Sequence, residues 1–480
     1  MSKLKLVLVV PNFRWSDCDE NALWHYFPYS LCMLAAVVAD MCDVSIVDAY
    51  HDNMSESTLK ASLKKQNPDI VGITVLMDQY GSSGHKAAMI AKSLSKDIKV
   101  VIGGVYATTN PLRVIEDRNV DYVVIGEGEY VLRDLLGYFM GNNPMPNRGI
   151  CYRKNGKVIN MGHAEFIEDL DYLPLPSYQL IDFQSYANSA QRKSVDSPRK
   201  FPYGRVVTSR GCPFGCSFCQ IEHIMGRKFR ARSVDNVLNE IKWLKDTFNI
   251  QSVIFDDDNL FTDKKRAEAI FQGMINRGLT LPWVAIATAV FKLDEELIKL
   301  MRASGCEYID VAIESGTQRV LKEIINKPVD FNQAKKMIQL ARKEGIFVAA
   351  NFIIGFPTET WSEIRETVRF AEEIEADYIK LFVAIPLPKT KLWDICVEQK
   401  AFKSGFEYAD RVWSTGQLIE TDNFRADDLT ILRAYEWDRV NFTDPQKQKR
   451  TAGMMGITKE ELNEIRKRTL GDARLKVKKS

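Results

Sequence analysis

Arg210-Gly211-Cys212-Pro213-Phe214-Gly215-Cys216-Ser217-Phe218-Cys219 is the stretch that decides how this chain is read. Cys212, Cys216 and Cys219 follow a CxxxCxxC spacing that closes two short loops around one cubane, while Gly211, Pro213 and Gly215 supply turns that keep three sulfurs pointing inward. A [4Fe-4S] cluster is normally held by four thiolates, so three from one loop leave one iron open to a substrate or cofactor. The same cysteines with His223, four residues beyond Cys219, are numerous enough for a closed structural zinc site, although zinc ligands usually come as two separated pairs. The other cysteines, Cys18, Cys32, Cys42, Cys151, Cys306 and Cys396, have no regular spacing, and no signal peptide is expected from the opening residues. A disulfide framework is therefore not expected, and a reducing, cytoplasmic location is.

Working outward toward the carboxyl end, strand and helix signals alternate from residue 203 to about residue 395. Strands are expected at 206–208, 252–255, 283–288, 308–313, 347–354 and 378–384, separated by helices at 234–247, 264–276, 295–303, 332–343 and 363–373. Six such units make a partial TIM-like barrel with its chemistry on the loops after the strands. Those loops carry Asp257 and Asp258, Glu314 and Ser315, Gly355 and Pro357, and Pro386-Leu387-Pro388.

Working outward toward the amino end, residues 1–140 form a second strand-helix series. Strands at 3–10, 44–47, 70–74, 100–102 and 122–125 alternate with helices at 30–39, 59–65, 86–94 and 130–139. This pattern predicts a doubly wound, flavodoxin-like parallel sheet whose ligand site lies at the carboxyl ends of its strands. The loops there hold Thr74 and Leu76, Gly103 and Gly104, and Gly126, Glu127 and Gly128, and the glycines let backbone approach a large ligand closely. Residues 141–200, rich in Pro, Gly, Asn and Asp around a hairpin-like piece at 150–159, read as a linker between this unit and the barrel at 201–395. Residues 396–480 read as a helical extension whose aromatics, Trp413, Tyr435, Trp437 and Phe442, serve packing.

With 480 residues, 45% hydrophobic and 27% charged, and a net charge of +2, the chain is expected to form two large domains with an appendage and to have no general affinity for nucleic acid. No apolar run approaches the roughly 20 residues that cross a bilayer. Basic residues gather only near the end (Arg466, Lys467, Arg468, Arg474, Lys476, Lys478, Lys479) and read as a solvated helix end and tail.

The cysteine loop, together with the ordered loop motifs of residues 203–395, resembles the radical S-adenosylmethionine (SAM) enzymes, and the glycine loops after 70–74, 100–102 and 122–125 resemble the cobalamin-binding domain that many of them carry in front. The resemblance implies that Cys212, Cys216 and Cys219 hold the cluster, and that the open iron takes the amino and carboxylate groups of SAM. Phe218 would pack near the adenine. The loop bearing Asp257 and Asp258 would meet the methionine amino group or the ribose, Glu314 with Ser315 the ribose or a neighbouring arginine, and the Gly355–Pro357 turn the adenine. Arg230 and Arg232 match a basic stretch after the cluster but serve equally well to cap the next helix. Lys389 replaces the glycine of a more usual PLPGT. Thr74, Leu76, Gly103, Gly104, Gly126, Glu127 and Gly128 would line the cobalamin. The cobalt-ligating DxHxxG of the cobalamin mutases is missing after the first strand, where Pro11-Asn12-Phe13-Arg14-Trp15 stands, and His51 does not have the spacing to replace it.

What the resemblance implies is an oxygen-sensitive, cobalamin-dependent radical SAM methyltransferase acting on an unactivated carbon of a small molecule, with a low-potential flavodoxin or ferredoxin as electron donor. A 5'-deoxyadenosyl radical would take hydrogen from the substrate, and methylcobalamin would supply the methyl group. The alternatives are a cobalamin-using cyclase or rearrangement enzyme similar to the anaerobic magnesium-protoporphyrin monomethyl ester cyclase, and a non-catalytic zinc- or cobalamin-binding protein. A methylthiotransferase fits poorly, since the amino-terminal unit lacks three well-placed cysteines. The substrate itself is not legible.

Overall fold

A computed structural model describes residues 3–15, 27–188, 194–406 and 418–479, with side chains up to residue 474. The chain divides into two compact units. In the first, β1 (Lys5–Val10), β2 (Asp43–Asp48), β3 (Ile70–Thr74), β4 (Lys99–Gly103) and β5 (Tyr122–Val124) lie in the order β2-β1-β3-β4-β5, all parallel. The strands are close to continuous apolar runs, as required where helices cover both faces of a sheet. Leu6 to Val10 and Ile70 to Thr74 are buried throughout. Helices Tyr29–Val38, Glu56–Gln66, Gly81–Leu94 and Gly128–Phe139 supply the cover, each within a few residues of its expected bounds apart from an earlier start for the third.

The hairpin-like piece expected inside the linker instead extends this sheet. β6 (Ile150–Lys154) pairs antiparallel with β5, and β7 (Lys157–Asn160) with β6. Asn155 and Gly156 between them both take positive φ, 51° and 78°, the conformation that Asn-Gly hairpin turns favour. The short helices Val105–Thr109 and Pro111–Glu116 are too brief to show a helical period in sequence and were not expected.

In the second unit, β8 (Tyr203–Val206) opens the barrel sheet three residues before its expected start, and β9 (Ser209–Arg210) pairs antiparallel with β10 (Arg230–Ala231). β11 (Ser252–Phe255), β12 (Trp283–Thr288), β13 (Cys306–Glu314), β14 (Phe347–Ile354) and β15 (Tyr378–Val383) then follow in sequence order beside β8, all parallel. Each following helix starts at a side-chain cap: Ser233, Asp263, Asp294, Asp330, Thr360 and Thr390 accept from a backbone amide of the first turn. Each cap contributes about 1 kcal/mol and fixes where a strand-to-helix loop ends.

The carboxyl-terminal extension is helical, with Ala426–Phe442, Pro445–Met455 and Lys459–Lys479. It covers the edge of β15, where one side chain takes the place of a pairing strand. Buried Asn441 accepts from the Ile379 amide at 2.7 Å and donates to the Ile379 carbonyl at 2.8 Å, as a neighbouring strand would. Trp437 donates to the Tyr378 hydroxyl at 2.9 Å, in keeping with a packing role, while Trp413 lies outside the described residues. Part of the basic tail is used for packing rather than left to solvent: Arg466 pairs with Asp438, and Arg474 stands over Tyr435.

Candidate functional site

The three cysteines sit half-buried on one loop, all free of disulfides. Burial pushes each thiol up, Cys219 to about 12, and the negative charge each would carry also weighs on its neighbours, Cys212 on Cys216 and both of these on Cys219. Lys327 acts in the opposite direction on Cys212 and Cys216. Among the described residues, no three His, Cys, Asp or Glu side chains stand close enough together to ligate a single ion. The donor set fits a cluster: three sulfurs, one loop and no fourth ligand from it.

Backbone bonds hold the loop in place. The Ser217 amide donates to the Ile325 carbonyl at 3.0 Å and the Ser217 carbonyl accepts from the Leu392 amide at 2.9 Å. Gln220 donates to the Pro388 carbonyl at 3.0 Å, and the Gly211 amide to Asp258 at 3.2 Å. The loop thus leans on segments that follow β11, β13 and β15.

Several expected contact residues are spent inside the protein. Asp257 is buried and accepts from the Thr208 amide at 3.1 Å, the Thr208 hydroxyl at 2.7 Å and the Ser209 hydroxyl at 2.5 Å, so it fixes the approach to the cysteine loop rather than facing it. Its other oxygen is buried without a partner. Asp258 lies at the surface of a crowded loop. That crowding pushes its carboxyl up to about 6, against the pull of the Gly211 amide, and Asp257 and Asp256 add to the rise. Glu314 holds Lys327 at 2.8 Å, not an arginine. Ser315 is fully buried against Thr367, 3.2 Å away. Arg232 forms a buried ion pair with Glu240, which resolves its role as structural.

The Gly355–Pro357 turn is built around Glu359, whose carboxylate accepts from the amides of Gly355 at 2.6 Å and Phe356 at 3.1 Å. Gly355 has φ 86°, where glycine alone is unstrained. Phe218 lies with its ring 6.3 Å from that of Phe356, which brings the cysteine loop beside this turn. Lys389 adopts φ 65°, so the lysine takes the conformation its usual glycine would adopt. Sequence reasoning missed Lys327 and Glu359. Lys327 comes from an irregular π-turn, Val320–Ile325, followed by Asn326 at φ 65°, and only the helix-breaking Asn326-Lys327-Pro328 run signals it.

In the first unit, the named residues gather at the carboxyl edge of the sheet, and the structure assigns two glycines to internal packing. A β-carbon at Gly104 (φ 95°) would stand 2.6 Å from the Val75 carbonyl oxygen, and one at Gly126 (φ 95°) within 2.3 Å of the His163 ring. Gly103 is different, with only an ordinary 3.7 Å contact to Val124. Glu127 is buried and accepts from the Ile167 amide at 2.6 Å, Thr74 is buried at the end of β3, Leu76 is half-buried, and Gly128 starts a helix. His51 stacks on Tyr186 at 3.8 Å and its Nε2 meets the Ser185 hydroxyl at 2.7 Å, so its ring is engaged elsewhere than at this edge. A polar carboxyl edge with two sterically open glycines, Gly103 and Gly128, fits a large flat cofactor.

Comparison with known proteins agrees with this geometry. The radical SAM superfamily model matches residues 206–371 and the B12 binding domain model residues 22–136. An uncharacterized methyltransferase of Pyrococcus horikoshii is 34% identical over 83% of this chain and 84% of its own length. The cytidylyl-2-hydroxyethylphosphonate methyltransferase of Streptomyces wedmorensis is 31% identical over 76% of each. Anaerobic magnesium-protoporphyrin IX monomethyl ester cyclases are among the more distant relatives, at 28% identity. In fold, the radical SAM methyltransferase TsrM from Kitasatospora setae, solved with tryptophan and a SAM analog, superposes with a TM-score of 0.73 at 16% identity, covering 92% of this chain and 90% of its own. The cysteine loop on its barrel, the cobalamin-type sheet before it and these relatives together place the chain in the cobalamin-dependent radical SAM methyltransferase family, an enzyme family that uses a [4Fe-4S] cluster, SAM and cobalamin.

Proposed function

We propose that this enzyme methylates an unactivated carbon of a small molecule. The observation that carries the reading is the anchored loop of three half-buried cysteines after β8, in a chain that also has a cobalamin-type sheet. Cys212, Cys216 and Cys219 would hold the cluster, and with SAM and cobalamin bound these groups supply a carbon-centred oxidant and a transferable methyl group. The protein's own part is placement. Asp258 offers a carboxylate for the methionine ammonium, Phe218 and the Gly355–Pro357 turn form a surface for adenine, and Glu314 fixes Lys327 beside the cysteine loop. Asp257 and Ser315 act as positioning residues behind these contacts. At the other site, Thr74, Leu76, Gly103, Gly104, Gly126, Glu127 and Gly128 shape the edge that receives the corrin. A low-potential flavodoxin or ferredoxin is the electron donor this reading requires. Among the described residues no helix is long and apolar enough to cross a membrane.

The second reading, a cyclase or rearrangement enzyme, is favoured by the cyclase relatives. Methyl-deuterated SAM separates the two once the substrate is found by comparing metabolites of cells with and without the protein. Methyl transfer puts label in the product and yields 5'-deoxyadenosine and S-adenosylhomocysteine in comparable amounts. Steady turnover with deoxyadenosine formed and no label in the product would select the cyclase reading.

A further inference from the structure

On the barrel sheet, the side chains of one face line up row by row across the strands. Ala312 on β13, Asn351 on β14 and Lys380 on β15 are register partners, with Asp310, Ala349 and Tyr378 in the row beneath them and Ile353 and Phe382 in the row above. This is the concave face. Lys380 reaches past β14 to Asp310 on β13 at 2.5 Å, and it also meets Asp196, from the segment before β8, at 3.0 Å. The residues that alternate with these rows, Val311, Ala350, Phe352, Ile379 and Leu381, are all buried on the opposite face.

The interior of a TIM-type barrel is normally filled by layers of bulky side chains. Here the lower layers are filled and the upper ones are not. Tyr308, Asp310 and Ala349 are sealed from water and Tyr378 is tied to Trp437, whereas Ala312, Asn351, Ile353 and Lys380 are half-buried and Phe382 is 46% exposed. Covering the Phe382 ring would remove a large apolar surface from water. Asn351 Oδ1 is buried without a hydrogen-bond partner, which is an exception in folded proteins, and the soft terminal torsion of asparagine lets either end of the amide turn to the open space. Lys380 is different, because two carboxylates already hold its ammonium. Ala312 stands two residues of strand, about 7 Å, below Glu314, which fixes Lys327 beside the cysteine loop. The open rows therefore lie under the cluster side of the barrel.

We infer that these rows receive the polar end of the substrate, with the Asn351 amide pairing with an uncharged group that both donates and accepts a hydrogen bond (a carboxamide, lactam or hydroxyl) and the Phe382 ring covering the apolar part next to it. The inference rests on the methyl-transfer reading and adds residues of the strands to those of the loops above them. An amide offers one acceptor and two donors and so matches such a group at both ends. A carboxylate or phosphate in its place would stand beside Asp196 and Asp310 with Lys380 already engaged.

The probe is the small-molecule extract of cells lacking the protein, in serial dilution with methyl-deuterated SAM. Reconstituted wild type should label a compound with a saturable dependence on extract, and that compound should carry an uncharged donor-acceptor group. F382A, at an exposed position that costs the fold little, and N351L should each need at least tenfold more extract for half-maximal labelling and recover labelling in excess extract, with SAM affinity, iron content and thermal unfolding as in wild type. Weaker labelling at every dilution with an unchanged midpoint would place these residues in the chemistry or the fold, and weaker SAM binding would assign the face to SAM. Either result overturns the inference, as does wild-type behaviour of both variants or a labelled compound without such a group. An extract in which wild type labels nothing overturns the methyl-transfer reading, and this inference with it.

Discussion

Lys327 donates to Glu314 at 2.8 Å with both side chains over nine-tenths sealed from water, and its charge also favours the thiolates of Cys212 and Cys216. Glu314 reaches this pair from the last residue of β13, where its φ of 76° is held against the usual preference of an L residue. One lysine thus ties the barrel edge to the cluster loop.

Removing one member of a buried pair leaves the other charge stranded, at a cost of about 3–5 kcal/mol. K327M should lose stability on that scale in urea unfolding, and should take up less iron on anaerobic reconstitution. E314Q/K327M should regain much of the stability and none of the iron. If the double variant is no more stable than K327M, the two residues do not act as a pair.

The loop is held by the backbone of Ser217 and by Gln220, not by its sulfurs. Replacing Cys212, Cys216 and Cys219 together with alanine should therefore abolish the broad visible absorption of reconstituted protein and all SAM cleavage, yet shift the melting temperature by only a few degrees. SAM cleavage that survives the triple substitution would disprove the cluster assignment.

Burial raises Glu359 from an ordinary 4.5 to about 7, against two amides that favour its charge. In the unfolded chain the proton leaves near pH 4.5, whereas the folded chain keeps it to about pH 7, so stability falls as pH rises between these values. At about 1.4 kcal/mol per pH unit the loss comes to about 3.5 kcal/mol, complete above pH 7. Asp48, also raised by burial to about 7, adds a slope of the same sign. E359Q keeps an acceptor for the Gly355 and Phe356 amides and removes the titration. It should lose about 2–3 kcal/mol less than wild type between pH 5 and pH 8 in apo-protein unfolding. Equal losses would place the Glu359 carboxyl in water.

Strand series and cysteine spacing are local patterns, which is why the two units and the cluster loop could be read before any coordinates. Side-chain destinations are not local. Nothing near Asp257 in sequence announces that Thr208 and Ser209, almost fifty residues earlier, consume its oxygen, and nothing near Arg232 distinguishes a member of the basic stretch after the cluster from the partner of Glu240. The hairpin at β6 and β7 showed its turn but not its neighbour, because pairing with β5 depends on the sheet already being assembled. Glycines were the most ambiguous signal, since a missing β-carbon serves protein packing and ligand approach alike.

That ambiguity sets the sharpest test of the cobalamin edge. Valine at Gly104 would collide with the Val75 backbone and must adopt φ 95°, so G104V should lower stability along with cobalamin binding and cannot separate the two. Gly103, with 3.7 Å of room toward Val124, accepts a methyl group from the protein's side. G103A should unfold at the wild-type temperature and retain full iron content, while its cobalamin affinity drops several-fold if the corrin lies against that residue. In the same samples, paramagnetic resonance of bound cob(II)alamin should lack splitting from an imidazole nitrogen, because His51 is stacked on Tyr186 and bonded to Ser185. Splitting that disappears in H51A would mean that the ring leaves Tyr186 to ligate cobalt, and unaltered cobalamin affinity in G103A would remove Gly103 from the edge.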